Sequence, residues 1–173
     1  MSMYAILETS VSEVIEQSLS EYPLTPVIFA NESGEEPLGS YCTIGKLTVN
    51  QRDTPENSLL DENLLSQMSV GYEVSCSVNF IGKEAGKLAF SSHVRMGNTT
   101  LNREFSQARN LSVLHKSTVQ VVPYFRATKY VDVYSYDISF YFIWGVTEEV
   151  QPILQVVIEN SDYSETITIP ETI

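Results

Sequence analysis

Residues 66–80 read SQMSVGYEVSCSVNF. Met68, Val70, Tyr72, Val74, Cys76, Val78 and Phe80 are apolar, and the residues between them, Ser69, Gly71, Glu73, Ser75, Ser77 and Asn79, are polar or small. Successive side chains of a strand point to opposite faces, so this alternation describes a β-strand with one buried face. A slip of one residue would put the apolar set in water and bury Glu73, which strongly specifies the register. Ile81-Gly82 ends the alternation. From there KEAGKLAFSSHVRMG (83–97) has helical spacing, with Ala85, Leu88, Ala89, Ser92 and Met96 on one stripe and Gly97 at the end as a C-terminal cap. A long strand turning sharply into a helix is the unit that the rest of the chain covers or extends.

Downstream, Asn98 offers an N-cap for a shorter helix through Leu101 and Phe105 to about Ala108. The β pattern returns from Leu111, with Val119, Val121 and Phe125 alternating and Pro123 marking an edge or bulge. A second long strand spans Tyr130–Trp144, with Tyr134, Tyr136, Ile138, Phe140, Phe142 and Trp144 on one face and Ser135, Asp137 and Ser139 on the other. Ile153–Ile158 is a further strand, and the tail 160–173 is another short strand or an arm laid on a neighbour.

Upstream, Leu7, Val11, Val14, Ile15, Leu19 and Tyr22 form the apolar stripe of an amphipathic helix. Ser10 with Glu13 offers a capping box, although Met3 and Ile6 extend the pattern backwards. Pro23 and Pro26 stop the helix, Val27–Phe29 suits a short strand, and residues 31–37 are a polar turn. In Tyr41–Val49 the alternation changes phase at Gly45, where a bulge absorbs one residue. Residues 51–65 form a long acidic connection that reads either as a contact loop or as a solvated hairpin tip.

The order helix, strands, two helices, strands gives an α+β fold: an antiparallel or mixed β-sheet with helices packed on one face. At 173 residues and 43% hydrophobic content, the chain is expected to form a single domain spanning 1–173. It has no membrane-length apolar run and no signal-peptide pattern, so assembly inside a cell is expected. Cys42 and Cys76 sit in apolar strand patterns and read as buried thiols.

The net charge of −12 is unevenly distributed. Residues 1–66 carry 11 carboxylates against Lys46 and Arg52, residues 83–129 carry eight basic residues against Glu84 and Glu104, and residues 130–173 carry eight carboxylates and no Lys or Arg. Two readings are open. The segments neutralise one another within a monomer, or a basic face of one copy meets an acidic face of the next, the head-to-tail arrangement that closes into rings. An acidic whole argues against ordinary binding to a phosphate backbone.

No catalytic constellation emerges, and the chain is not expected to be an enzyme or to need a cofactor or metal. GKEAGKL (82–88) stands between a strand and a helix like a phosphate-binding loop, but it has three residues between its glycines and Leu88 where a Ser or Thr would hold magnesium. A tight turn at Gly82 is the better reading. His93 and His115 lack spaced metal-ligand companions, Cys76 faces the core side of its strand, and Asp132 and Asp137 point to opposite faces.

The segments YEVSCSVNFIGKEAGKLAFSSHVRMGN (72–98) and LNREFSQARNLSVLHKSTVQVVPYFRATKYVDVYSYDISFYF (101–142) resemble the neck or tail terminator proteins of tailed bacteriophages. The resemblance rests on a strand ending in a hydrophobic-aromatic pair before a small helical residue, here Phe80 and Ala85. It also rests on an Arg preceding an Asp-containing long strand, here Arg126 and Asp132. It implies a structural virion protein of the neck with a tail-terminator-like fold. Such a protein forms a hexameric ring that ends tail tube growth, joins the tail tube protein to a head-completion or connector protein, and passes DNA through its lumen without specific binding. A head-tail adaptor or a tail tube subunit shares this ring logic, and a small-ligand-binding or enzyme domain would need a polar pocket. From charge alone, Asp53, Glu56, Asp61 and Glu62 are candidates for a lumen or partner loop. Arg103, Arg109, Arg126 and Lys129 are candidates for the subunit contact.

Overall fold

The computed structural model describes residues 2–30, 36–57, 65–126, 129–149, 155–160 and 163–168. In chain order the elements are α1 (Met3–Ser18), β1 (Val27–Phe29), β2 (Tyr41–Ile44), β3 (Thr48–Gln51), β4 (Glu56–Asn57), β5 (Leu65–Ile81), α2 (Ala85–Arg95), α3 (Thr99–Arg109), β6 (Leu111–Lys116), β7 (Gln120–Arg126), β8 (Lys129–Glu149), β9 (Gln155–Asn160) and β10 (Tyr163–Thr168). Two compact units result, one from Met1–Thr54 and Val70–Trp144, the other from Pro55–Ser69 and Gly145–Ile173.

The first unit is an α+β fold on a mixed sheet whose backbone path runs β1-β2-β5-β8-β6, with β3 on β5 and β7 on β8. β1 joins β2 in parallel, and β2, β3, β6 and β7 pair antiparallel with the two long strands. The alternation read in the sequence governs burial. Val74, Cys76, Val78 and Phe80 of β5 and Tyr136, Ile138, Phe140 and Phe142 of β8 are buried on the face that meets the helices. Phe80 and Tyr136 stack there with ring centroids 6.0 Å apart.

Ile44 stands opposite Val78 and Thr48 opposite Ser75, so β2–β3 holds one residue more than β5 over this span. The extra residue is the bulge expected at Gly45, whose N–H donates to the Ser77 carbonyl at 2.8 Å. A second bulge, absent from the sequence reading, lies between Val113 and His115 and turns Leu114 outward. Pro123 lies on β7, which among the described residues pairs only with β8, an edge position where its missing N–H is tolerated.

α1 begins at Met3, because the Ser2 hydroxyl accepts the Ala5 N–H at 3.3 Å. The Ser10–Glu13 capping box is therefore not its start, and Ser10 is buried within the helix. Leu7, Val11, Val14, Ile15 and Leu19 enter the core as their spacing requires. Gly82 turns β5 into α2 with φ +111°, and a Cβ there would lie 2.7 Å from the Ser40 Cα. Asn98 caps α3 through its Oδ1, which accepts from Thr100 N at 2.8 Å and Leu101 N at 3.4 Å, and Asn110 ends that helix in the left-handed region at φ 53°. Gly97 does not adopt a left-handed cap conformation. The end of α2 is satisfied instead by the Lys116 ammonium, which donates to the His93 carbonyl.

In the second unit β4 pairs with β5 at Glu56–Ser69 and Asn57–Met68, and β9 and β10 form an antiparallel hairpin from Asn160–Tyr163 to Gln155–Thr168. The tail beyond 160 thus contains a strand.

Candidate assembly surfaces

Cys42 and Cys76 are free and buried, as expected of core residues. Burial, helped by the charge of Asp137, pushes the Cys76 thiol up to about 12, and burial raises Cys42 as well. Thiols held protonated at neutral pH are poor nucleophiles. His93 Nε2 lies 2.9 Å from the Ser117 carbonyl oxygen and so carries the proton, while its ring meets Tyr136 edge-on at 5.3 Å. Among the described residues no group of three or more His, Cys, Asp or Glu side chains is placed to hold a metal ion.

Three buried hydroxyls form a chain joining α1, α2 and β8. Ser18 Oγ donates to the Ile15 carbonyl at 2.6 Å, so its lone pairs receive Ser92 Oγ at 2.7 Å, and Ser92 in turn receives Tyr136 OH at 2.8 Å. Every member is buried and satisfied. Burial raises the Tyr136 phenol far above its ordinary range, with the Ser92 bond opposing the shift. This network ties the two helices to the sheet.

The acidic candidates fall in different places. Asp53, just past β3, accepts the Tyr141 hydroxyl at 2.6 Å, and the Arg52 and Asp53 amides both reach the Gly71 carbonyl, at 2.9 and 3.3 Å. Gln51 Nε2 donates to the Asp53 carbonyl at 2.9 Å. Gly71 is required there, since a Cβ would fall on the Asp53 carboxylate and the Tyr141 ring. Asp53 is thus held at a defined point of its unit. Glu56 is exposed on β4 in the second unit, and Asp61 and Glu62 lie outside the described residues.

Of the basic candidates, Arg103 is exposed on α3. Arg109, at the end of α3, bridges Glu13 of α1 at 2.8 and 3.0 Å, so its charge is neutralised within its own chain. Arg126 and Lys129 stand opposite each other in the β7–β8 register.

Sequence reasoning missed a different surface. Phe90 and Val94, one turn apart on α2, are 55% and 70% exposed, with Lys83 and Lys87 exposed at the same helix's N-terminal end. The signal was present: both apolar residues lie off the stripe Ala85–Leu88–Ala89–Ser92 that fills the core.

A family model described as phage neck terminator protein matches residues 3–169. The chain belongs to the phage neck terminator protein family. It is accordingly a structural component of the virion neck that assembles with other phage structural proteins. No curated protein matches the chain. Among the described residues no helix of this terminator is long and apolar enough to cross a membrane.

Proposed function

We propose that this protein closes the tail tube in the phage neck. Six copies form a ring on the last layer of tail tube protein, end tube growth, and present their other side to a head-completion or connector protein. The observation that carries this reading is the family match over residues 3–169. The charge segregation of the chain supports it, because a head-to-tail ring needs two unlike faces on each copy. DNA crosses the lumen without specific binding, since an overall charge of −12 repels phosphate. Ring assembly takes place in the host cytoplasm before the neck is joined.

In this proposal the whole chain acts as one terminator domain. Asp53, Glu56, Asp61 and Glu62 of the 51–65 connection face the lumen or a neck partner, and Arg103, Arg126 and Lys129 add positive charge to the subunit boundary. The segment 160–173, which includes β10, is the arm toward a neighbour.

The test is genetic and structural. A phage lacking this chain is expected to make tails of uncontrolled length that fail to join heads in negative-stain micrographs, with both defects repaired by the wild-type protein. Tails of normal length that join heads would overturn the reading. Open-ended filaments of the purified chain would reassign it as a tube subunit.

A further inference from the structure

The first compact unit carries two unlike surfaces. On α2, residues advance 100° each, which places Lys87, Phe90 and Val94 on one outward face, with Lys83 one turn ahead. Phe90 leans edge-on against Tyr134 of β8 at 6.4 Å, and Val121 of β7, opposite Tyr134 in register and 54% exposed, widens the apolar area. Gly86 allows Tyr134 to lie against the helix, since a Cβ there would be 2.9 Å from the ring. Lys87 Nζ lies 5.0 Å over the Tyr22 ring, which fixes one basic edge of the face. Glu84 is the acidic residue among these lysines.

The other surface is a groove of about 620 Å³ along α1. Its wall is the outward stripe Tyr4, Glu8, Ser12 and Glu16, its floor contains Phe29 and Leu47, and Lys46 also lines it. Tyr4 is exposed; among the described residues Glu8 and Glu16 form no ion pair, Glu16 accepting only the Ser12 hydroxyl at 3.3 Å, whereas Glu13 is held by Arg109. An acidic rim over an apolar floor is the inverse of the α2 face, and the two share no residue.

We propose that the α2 face of one copy docks in the α1 groove of the next, Phe90 and Val94 entering the groove while Lys83 and Lys87 meet Glu8 and Glu16. The occupant is a second copy of this chain, because both halves of the contact are present on each copy. Such a contact is heterologous and propagates around a ring. This inference rests on the ring reading of the proposed function and names the contact that builds it.

The experiment is the mass of the full chain by analytical ultracentrifugation, for the wild type and three variants whose folding is checked by circular dichroism. The wild type is expected as a multiple of 19.4 kDa that loosens as salt rises. Phe90→Ser with Val94→Ser is expected to weaken association at least tenfold. Lys83→Glu with Lys87→Glu, and separately Glu8→Lys with Glu16→Lys, are each expected to do the same. Mixing these two charge-reversed proteins restores the wild-type mass, because in an alternating ring every contact again joins opposite charges. A wild-type ring that none of the variants weakens, or a mixture that stays dissociated, overturns this contact and leaves the ring reading standing. A wild type that is monomeric at every concentration and salt overturns both.

Discussion

Tyr141 donates its phenolic hydrogen to Oδ2 of Asp53 at 2.6 Å, across the bare backbone of Gly71. The pair ties the end of β3 to β8 over β5, and it fixes the one described acidic candidate of its unit. Gly71→Ala would place a methyl group on both partners. Both are ends of movable side chains, so the strand survives and the hydrogen bond is lost. Loss of about 0.5–1.5 kcal/mol is expected in urea denaturation, the net value of one such bond. Tyr141→Phe is expected to cost the same, and the double variant no more than either single one. Fully additive losses would show that the two positions act independently.

The buried hydroxyl chain makes a sharper prediction. Ser92→Ala removes the central link and leaves Tyr136 without its acceptor and Ser18 without its donor. An expected cost of about 1–3 kcal/mol follows from burying an unsatisfied polar group. Tyr136→Phe in that background is expected to recover part of the loss, because it removes the orphaned hydroxyl. Denaturation midpoints of the three proteins decide this, and a Ser92→Ala protein as stable as the wild type would refute the network's role.

Alkaline stability follows from the raised acids of the core. Cys42, Cys76 and Tyr136 hold their protons more tightly folded than unfolded. The unfolded state therefore binds fewer protons once pH passes the ordinary thiol value of 9.0, and stability falls as pH rises. Each group contributes a slope of about 1.4 kcal/mol per pH unit between its unfolded and folded values, which for Cys76 means pH 9.0 to about 12. Cys76→Ala is expected to flatten this limb in pH-dependent urea titrations. The stabilising effect is fully present below pH 9, so no change from these groups is expected between pH 6 and 8. In the same range both thiols are expected to resist Ellman's reagent until the chain is unfolded.

The Arg109–Glu13 bridge is expected to matter little to stability. Its side chains are 48% and 38% exposed, so solvent screens the pair. Arg109→Ala is expected to shift the unfolding free energy by less than about 1 kcal/mol and by less still in high salt, as read by thermal melts at two ionic strengths.

Much of this architecture is local and therefore legible in the chain. The period-two pattern of 68–80 dictates which face of β5 is buried, and the phase change at Gly45 encodes one extra residue against β5. The stripe Ala85–Leu88–Ala89–Ser92–Met96 reads directly as the buried side of α2, and Asn98 as the cap of α3. Each of these follows from side-chain periodicity or from a hydrogen bond to a residue two or three positions away. The start of α1 stays open in the sequence, where Ser10–Glu13 offers a capping box while Met3 and Ile6 extend the apolar pattern backwards, and the Ser2 hydroxyl accepting the Ala5 N–H decides it.

Charge was legible only as a total along segments. Its placement needed the fold, because partners far apart in the chain decide which groups remain available. Arg109 meets Glu13 across 96 positions, and Tyr141 meets Asp53 across 88. Phe90 and Val94 carried a visible signal as apolar residues off the core stripe, but the groove that suits them is assembled from α1, β1 and the β2–β3 connection. By itself the sequence determined the two long strands, the three helices, their buried faces and the membership of the chain in the terminator family. Only the tertiary structure decided which charges are neutralised within the chain and which surfaces stand open to neighbours, because electrostatic and shape complementarity depend on distances through space and periodicity reports only distances along the chain.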